Sequence, residues 1–199
     1  MLLALVAALA HAACPDLTDE KKAWNAKALE ALVEASRSGD PAEPIVRVKK
    51  LRDANDLCSP RDRYHAAVVL LLGDPDDVSS AFTLATQSLA GGVKEAGAIA
   101  AQAKDKELVE QGKEQAFGTL LGERDGRACV FPINAGVTDS ARAKFGLPPL
   151  KERLAELAAR AGVEAEPTLD GLRNASLICG QVPDAPAFVP SNATKKGRK

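Results

Sequence analysis

Along this 199-residue chain the apolar positions recur mostly at helical spacing, and Gly and Pro divide them into short blocks. The first block differs in kind, because residues 2–10 are apolar without interruption and lead into Ala10-His11-Ala12 and then Cys14. A run of nine apolar residues closed by small residues at alternate positions has the form of an export signal, with cleavage after Ala12. It is far shorter than the roughly 20 residues that cross a bilayer as a helix. Residues 18–35 then predict an amphipathic helix, with Trp24, Ala28, Ala31, Leu32 and Ala35 on one stripe and Lys21, Lys22, Lys27 and Glu34 largely elsewhere. Gly39-Asp40-Pro41 ends it. A second helix over 43–54 presents Ile45, Val48 and Leu51, with Arg47, Lys49, Lys50 and Arg52 as a solvated face.

Residues 64–72 hold one strongly polar side chain, His65, and a helix apolar on all sides belongs at the centre of a fold. Gly73 stops it, and Asp74-Pro75-Asp76-Asp77 caps the next helix, whose inner face is Val78, Ala81, Phe82, Ala85 and Leu89. Gly91-Gly92 breaks that helix. Residues 93–111 predict another, lined by Ala96, Ile99, Ala100 and Ala103, small residues that let neighbouring helices approach closely. After Gly112 the pattern changes: residues 115–121 and 127–133 flank Glu123-Arg124-Asp125-Gly126, whose Asp-Gly signals a β-hairpin. A short helix from Val137-Thr138-Asp139 to Gly146 follows. Pro148-Pro149 then opens a last amphipathic helix with Leu150, Leu154, Leu157, Ala158 and Ala161 at core spacing, and from Val163 the chain reads as loops.

The pattern thus predicts a mainly α fold, an antiparallel stack of helical hairpins resembling an α-α superhelix, with a small β-hairpin near the C-terminal third. Its organisation is a signal peptide over 1–12, a single domain over 13–182 and a Pro-rich, basic tail over 183–199. Aromatic residues are only 4% of the chain, which suits close packing of Ala and Leu helices better than a β-sandwich. The net charge is −1, and Lys195, Lys196, Arg198 and Lys199 put +4 at the extreme end, so the body is mildly acidic. No basic face interleaved with aromatics marks a nucleic-acid surface. Cys14, Cys58, Cys129 and Cys179 are dispersed, with no C-x-x-C pair. In an oxidising compartment an even set of four predicts two disulfides, with three pairings open.

One resemblance rests on Asp62-Arg63-Tyr64-His65-Ala66-Ala67, then Asp105-Lys106-Glu107-Leu108, Gly112 and Gln115-Ala116-Phe117-Gly118-Thr119, then Val137-Thr138-Asp139, Arg142 and Gly146-Leu147-Pro148-Pro149-Leu150. In order and spacing these resemble an uncharacterised family of bacterial exported proteins with the motifs D-R-x-L-x(3)-G-x(2)-Q-x-[YF]-G-T and V-T-D-x(2)-R-x(3)-G-[LV]-P-P-L. The resemblance covers just under half of the chain and implies a helical fold, not a reaction. Three departures stand out. Leu71-Leu72 replaces a Gln-His pair before the glycine, Lys106 replaces Arg, and Leu120 replaces the Gln after Gly-Thr.

Candidate chemistry is sparse. Once the signal is removed His65 is the only histidine, so no histidine-rich metal site and no cofactor site is predicted. Gln115, Gly118 and Thr119 form the best candidate binding element: an amide, a glycine permitting close backbone approach and a hydroxyl, at the junction of helix and hairpin. The competing structural reading has Gln115 and Thr119 tie the hairpin to Asp105 and the helical block. Asp105 as a buried base and Arg142 as an anion holder are the weak catalytic candidates. The expected function is an exported binding or interaction module whose partner is another envelope or extracellular protein. The alternatives are a hydrolase-like enzyme with a degenerate polar site, and an envelope accessory protein lipid-anchored through Cys14. Simple cleavage makes the protein periplasmic or secreted, and no oligomeric state is specified.

Overall fold

The computed structural model describes residue 14 and residues 17–124, 126–163 and 166–179. The predicted signal segment over 1–12 and the tail over 183–199 lie outside the described residues. Among the described residues five helices come first: α1 (Asp19–Ser38), α2 (Ala42–Asp53), α3 (Pro60–Leu70), α4 (Pro75–Ala90) and α5 (Ala96–Glu110). A two-stranded antiparallel sheet follows, β1 (Leu121–Arg124) and β2 (Arg127–Val130), then α6 (Asp139–Ala143), α7 (Leu150–Arg160) and α8 (Leu169–Asn174).

Helix starts are set by capping side chains, at α4 the ones that the sequence pattern points to and at α3 a pair that it does not single out. Ser59 accepts from Asp62 N while the Asp62 carboxylate accepts from Ser59 N, a reciprocal capping box with Pro60 in the first turn. Asp74 and Asp77 repeat the arrangement at α4, with Pro75 in the same place. α3 is the central helix of its block: Ala66, Ala67, Val69 and Leu70 are all inaccessible to water. It packs against α1, α2, α4 and α5, and the alanines of α4 and α5 bring those two helices together. Ser88, buried on α4, donates to Pro60 O at 2.6 Å and joins α4 to the first turn of α3.

Two elements of this block differ from the expected pattern. The buried face of α1 is Asn25, Leu29, Leu32, Val33 and Ser36, whereas Trp24 is 60% exposed and Ala31 and Ala35 face water. Three branched aliphatic side chains remove far more apolar area from water than three alanines do. The two polar groups drawn in with them turn to backbone, Ser36 Oγ to Val33 O at 2.8 Å and Asn25 Nδ2 to Asp56 O at 3.5 Å. The basic face of α2 is also less solvated than expected. Lys49 pairs with Asp77 at 2.8 Å and Arg52 donates to Ser80 Oγ at 2.9 Å, because the acidic start of α4 lies beside it.

The hairpin pairs Leu121 with Val130 and Arg124 with Arg127, leaving a two-residue turn in which Gly126 takes φ +76°. The strands are shorter than the flanking apolar pattern, since Gln115 and Ile133 meet only in an isolated parallel bridge. Where the sequence reads as loop, residues 169–174 form α8. Cys179 lies beyond it, and the chain there adds a parallel bridge from Ile178 to Val130. Val130, Ile133, Leu154, Leu157, Leu172 and Leu177 make a second apolar cluster, separate from the helical one.

The pairing that the sequence leaves open is Cys14–Cys58 and Cys129–Cys179, spanning 44 and 50 residues. The first ties the segment before α1 to the start of α3; the second ties β2 to the chain after α8. Each bridge serves one cluster, and neither crosses between them. The two meet at α5 and the turn after α6, where Gly97 in the first turn of α5 packs so tightly on Phe145 that an added Cβ would lie 2.4 Å from its carbonyl oxygen.

Candidate functional site

Two residues beyond α5, Gly112 takes a φ of +69° and reverses the chain, and the next residues run back along the helix that they have just left. This return brings residues 115–120 over Asp105, which is inaccessible to water. Asp105 Oδ1 accepts from Ala116 N at 2.7 Å and Phe117 N at 2.9 Å. Its Oδ2 accepts from Thr119 N at 2.8 Å and Thr119 Oγ1 at 2.7 Å. Four donors on one carboxylate complete its acceptor capacity. Burial pushes the Asp105 carboxyl above the ordinary aspartate range, and the same four hydrogen bonds pull it back part of the way.

Gln115 is equally enclosed. Its Nε2 donates to Phe131 O at 2.8 Å and Leu120 O at 3.2 Å, and its Oε1 accepts from Leu120 N at 2.7 Å. Its own backbone bonds Pro132 O and Asn134 N. One side chain thus stands in for a missing strand between residue 120 and residue 131. Gly118 takes φ +70°, and a Cβ there would come within 2.7 Å of Ile133 Cδ1 and 3.2 Å of Leu150 Cδ1. The position therefore needs glycine both for conformation and for space.

Arg142, at 1% exposure, approaches the same loop from α6. It donates Nε to Pro148 O at 2.8 Å and Nη1 to Phe117 O. Burial lowers its pKa, opposed by the charges of Asp139 and Asp105. Arg153 on α7 adds a bond to Thr119 O at 3.3 Å. The five residues singled out in the sequence are thus brought together around one loop. Their polar atoms are spent inside that loop: Asp105 takes its N–H groups and the Thr119 hydroxyl, Arg142 and Arg153 take its carbonyls, and Gln115 closes its end. Arg153 is the participant that sequence reasoning misses, since an Arg in the first turn and a half of an amphipathic helix carries no distinguishing signal.

The remaining candidates lie apart. His65 contacts the Tyr64 ring at 5.4 Å, and its buried Nδ1 has no hydrogen-bond partner among the described residues. Burial lowers its pKa, with Glu30, Arg61, Asp62 and Arg37 as the surrounding charges. Among the described residues no group of three His, Cys, Asp or Glu side chains could hold a metal ion. Two of the departures from the resembled motifs are neighbours in space. Lys106 Nζ donates to Leu71 O at 3.0 Å and Gly73 O at 3.1 Å and lies 3.8 Å from Glu110, so it caps the last turn of α3.

Beside the clamped loop runs an open groove of about 700 Å³, lined by Leu108, Ala116, Phe117, Val137 and Ala141, with Lys113, Glu114 and Asn134 at its polar margin. Phe117 is fixed there by the Phe145 ring, 4.7 Å away. No helix of the described residues is long and apolar enough to cross a membrane. Comparison with protein-family models, with curated proteins and with solved structures finds no match to the chain.

Proposed function

We propose that this chain is an exported binding module whose interaction surface is the groove beside the 115–120 loop, and whose partner is another envelope or extracellular protein. One observation carries the reading. Asp105, Gln115, Thr119 and Arg142 converge, but Asp105, Gln115 and Arg142 turn polar atoms to the backbone of the loop that shapes the groove, and the Thr119 hydroxyl is taken by the Asp105 carboxylate. A general acid or base needs an atom within reach of substrate, and these atoms are already engaged. They hold in place a wall carrying Phe117, which gives the groove a fixed apolar side and a polar margin, the surface expected of a protein-recognition site.

Export is supported by the two disulfides, which form and persist in oxidising compartments. The pairing of Cys14 with Cys58 favours cleavage after Ala12 over a lipid anchor, because a thioether on Cys14 would take the same sulfur. Membership of the resembled exported family belongs to the same reading: its Asp, Gln, Gly, Thr and Arg motif positions are read as the signature of a clamped loop.

A photo-crosslinking residue placed at Val137 in the native host tests the binding surface. The reading expects adducts with one protein species, lost when Ala141→Asp is added and absent when the crosslinker sits at Lys50 on the exposed side of α2. Equal adducts from both positions, or none at Val137, would remove it. Intact mass of protein from that host, with peptide mapping under non-reducing conditions, tests export, the unlipidated N-terminus and the pairing.

A further inference from the structure

We propose that the outer flank of α1 is a contact between two copies of this chain, laid antiparallel about a two-fold axis that passes between Ala28 and Ala31. Trp24, Ala28, Ala31 and Ala35 follow one another at steps of four, three and four, the spacing of a coiled-coil seam. The seam lies to the side of the face that α1 turns to its own core. Trp24 is 60% exposed, and Ala31 and Ala35 are exposed with it. A large apolar ring held in water on a helix edge is the informative kind of surface residue.

Two charges choose the occupant and its direction. Lys27 and Glu34 lie seven residues apart along one edge of the seam, both exposed and neither in an ion pair among the described residues. The opposite edge, Asn25 and Leu32, is buried in the chain's own core. When a second α1 is laid antiparallel, Lys27 faces Glu34 of the second copy and Glu34 faces its Lys27, so one contact made twice satisfies both charges. The same register sets Trp24 against Ala35 of the second copy and Ala28 against its Ala31, a large residue opposite a small one at each end. A parallel pairing sets Trp24 on Trp24 and brings neither charge to its opposite. The seam is short. At its N-terminal end the next position is Lys21, held by Asp56 at 3.4 Å, so the contact spans about three turns. It buries less than the roughly 800 Å² per partner of a standard stable interface, and the association is accordingly weak.

Trp24 is the only tryptophan in the chain, so its emission reports this contact directly. The experiment uses the disulfide-bonded protein purified from its host, followed by sedimentation equilibrium and tryptophan emission from about 10 µM to about 1 mM, the range of a sub-standard interface. The expected result is a mass rising toward two copies and an emission maximum moving to shorter wavelength over the same concentrations. Lys27→Glu shifts the midpoint about tenfold higher, and Lys27→Glu with Glu34→Lys brings it back. Both variants change exposed positions only, and unchanged far-UV circular dichroism certifies their fold. A monomer with constant emission across the range overturns the proposal, including the case in which a different protein binds Trp24. So does a dimer whose midpoint ignores Lys27→Glu, or a double variant that stays as weak as the single one.

Discussion

Replacing Asp105 by Asn is the sharpest test of the clamp, because it keeps shape and removes one acceptor oxygen. The carboxylate receives two N–H groups on Oδ1 and an N–H with a hydroxyl on Oδ2. Asn must set its NH₂ against one of these pairs. Against Ala116 and Phe117 it would orphan two backbone donors. Against Thr119 it orphans one, since the Thr119 hydroxyl can rotate and accept from the new amide. The second arrangement is therefore the one expected. One buried unpaired N–H costs about 1–3 kcal/mol, and exchanging charge-assisted bonds for neutral ones costs about 1 kcal/mol more, offset in part because a buried charge has gone. The net expectation is a loss of about 2–4 kcal/mol. Asp105→Ala, which orphans all three N–H groups, loses more, about 3–5 kcal/mol.

Denaturant unfolding of oxidised protein measures both losses, and amide hydrogen exchange locates them. Thr119, the orphaned donor, loses protection in Asp105→Asn, while Ala116 and Phe117, which keep an acceptor oxygen, and Leu120, held by Gln115 Oε1, retain it. The pH dependence has a definite sign. Burial raises the folded pKa of Asp105 above its ordinary 3.8. The folded state then binds this proton more tightly than the unfolded state does. The stability contributed by the group therefore grows as pH falls from the raised folded value toward the ordinary one. Asn does not titrate, so the gap between wild type and Asp105→Asn widens across that interval. A loss below about 1 kcal/mol would refute the account of a buried, four-fold hydrogen-bonded carboxylate, and a gap that narrows on acidification would refute burial as the dominant influence on it.

Three further outcomes are expected. Gly97→Ala gains helix propensity of about 1 kcal/mol, yet its Cβ meets the Phe145 carbonyl at 2.4 Å, so thermal unfolding should show a net loss of about 1–3 kcal/mol. Ser59→Ala removes the capping box of α3 and should cost about 1 kcal/mol in the same assay, with little change at the 115–120 loop. Replacing Cys129 and Cys179 together by Ser opens a loop spanning 50 residues and should cost about 2–4 kcal/mol, with exchange loosening confined to the second apolar cluster.

The helical architecture was legible in the sequence because each break has a chemical cause that acts locally. Gly39-Asp40-Pro41, Asp74-Pro75, Gly91-Gly92 and Gly112 act on their own neighbours, and every helix boundary that they mark falls within a few residues of the observed one. The inner face of α1 was legible only at Leu32, because the stripe Trp24, Ala28, Ala31, Leu32 and Ala35 and the stripe Leu29, Leu32 and Val33 both satisfy the helical period. Only the packing of α1 on α2 and α3 decides between them, and it decides by buried area. Helix α8 was missed for a related reason, since six residues with Gly171 inside them carry almost no periodic signal and owe their order to Leu172 in the second cluster. The disulfide pairing lies beyond any spacing rule, because it depends on which loops the two clusters bring together.

The candidate site shows why a motif of polar residues around a glycine invites a catalytic reading and need not have one. A loop that turns back over its own helix cannot form ladder bonds, so its N–H and C=O groups must find side chains or remain unpaired in a dry interior. The residues able to supply those partners are the ones that enzymes use: a carboxylate for several N–H groups, a guanidinium for several carbonyls, an amide where both are needed. Asp105, Arg142 and Gln115 have these three tasks, and Gly118 admits Ile133 and Leu150 where any side chain would exclude them. Sequence shows residue types and spacing, and those are common to a reactive cluster and to a clamp. What separates the two is where the polar atoms aim. Here they aim inward, and the surface they leave uncovered is the apolar side of the groove on which Phe117 stands.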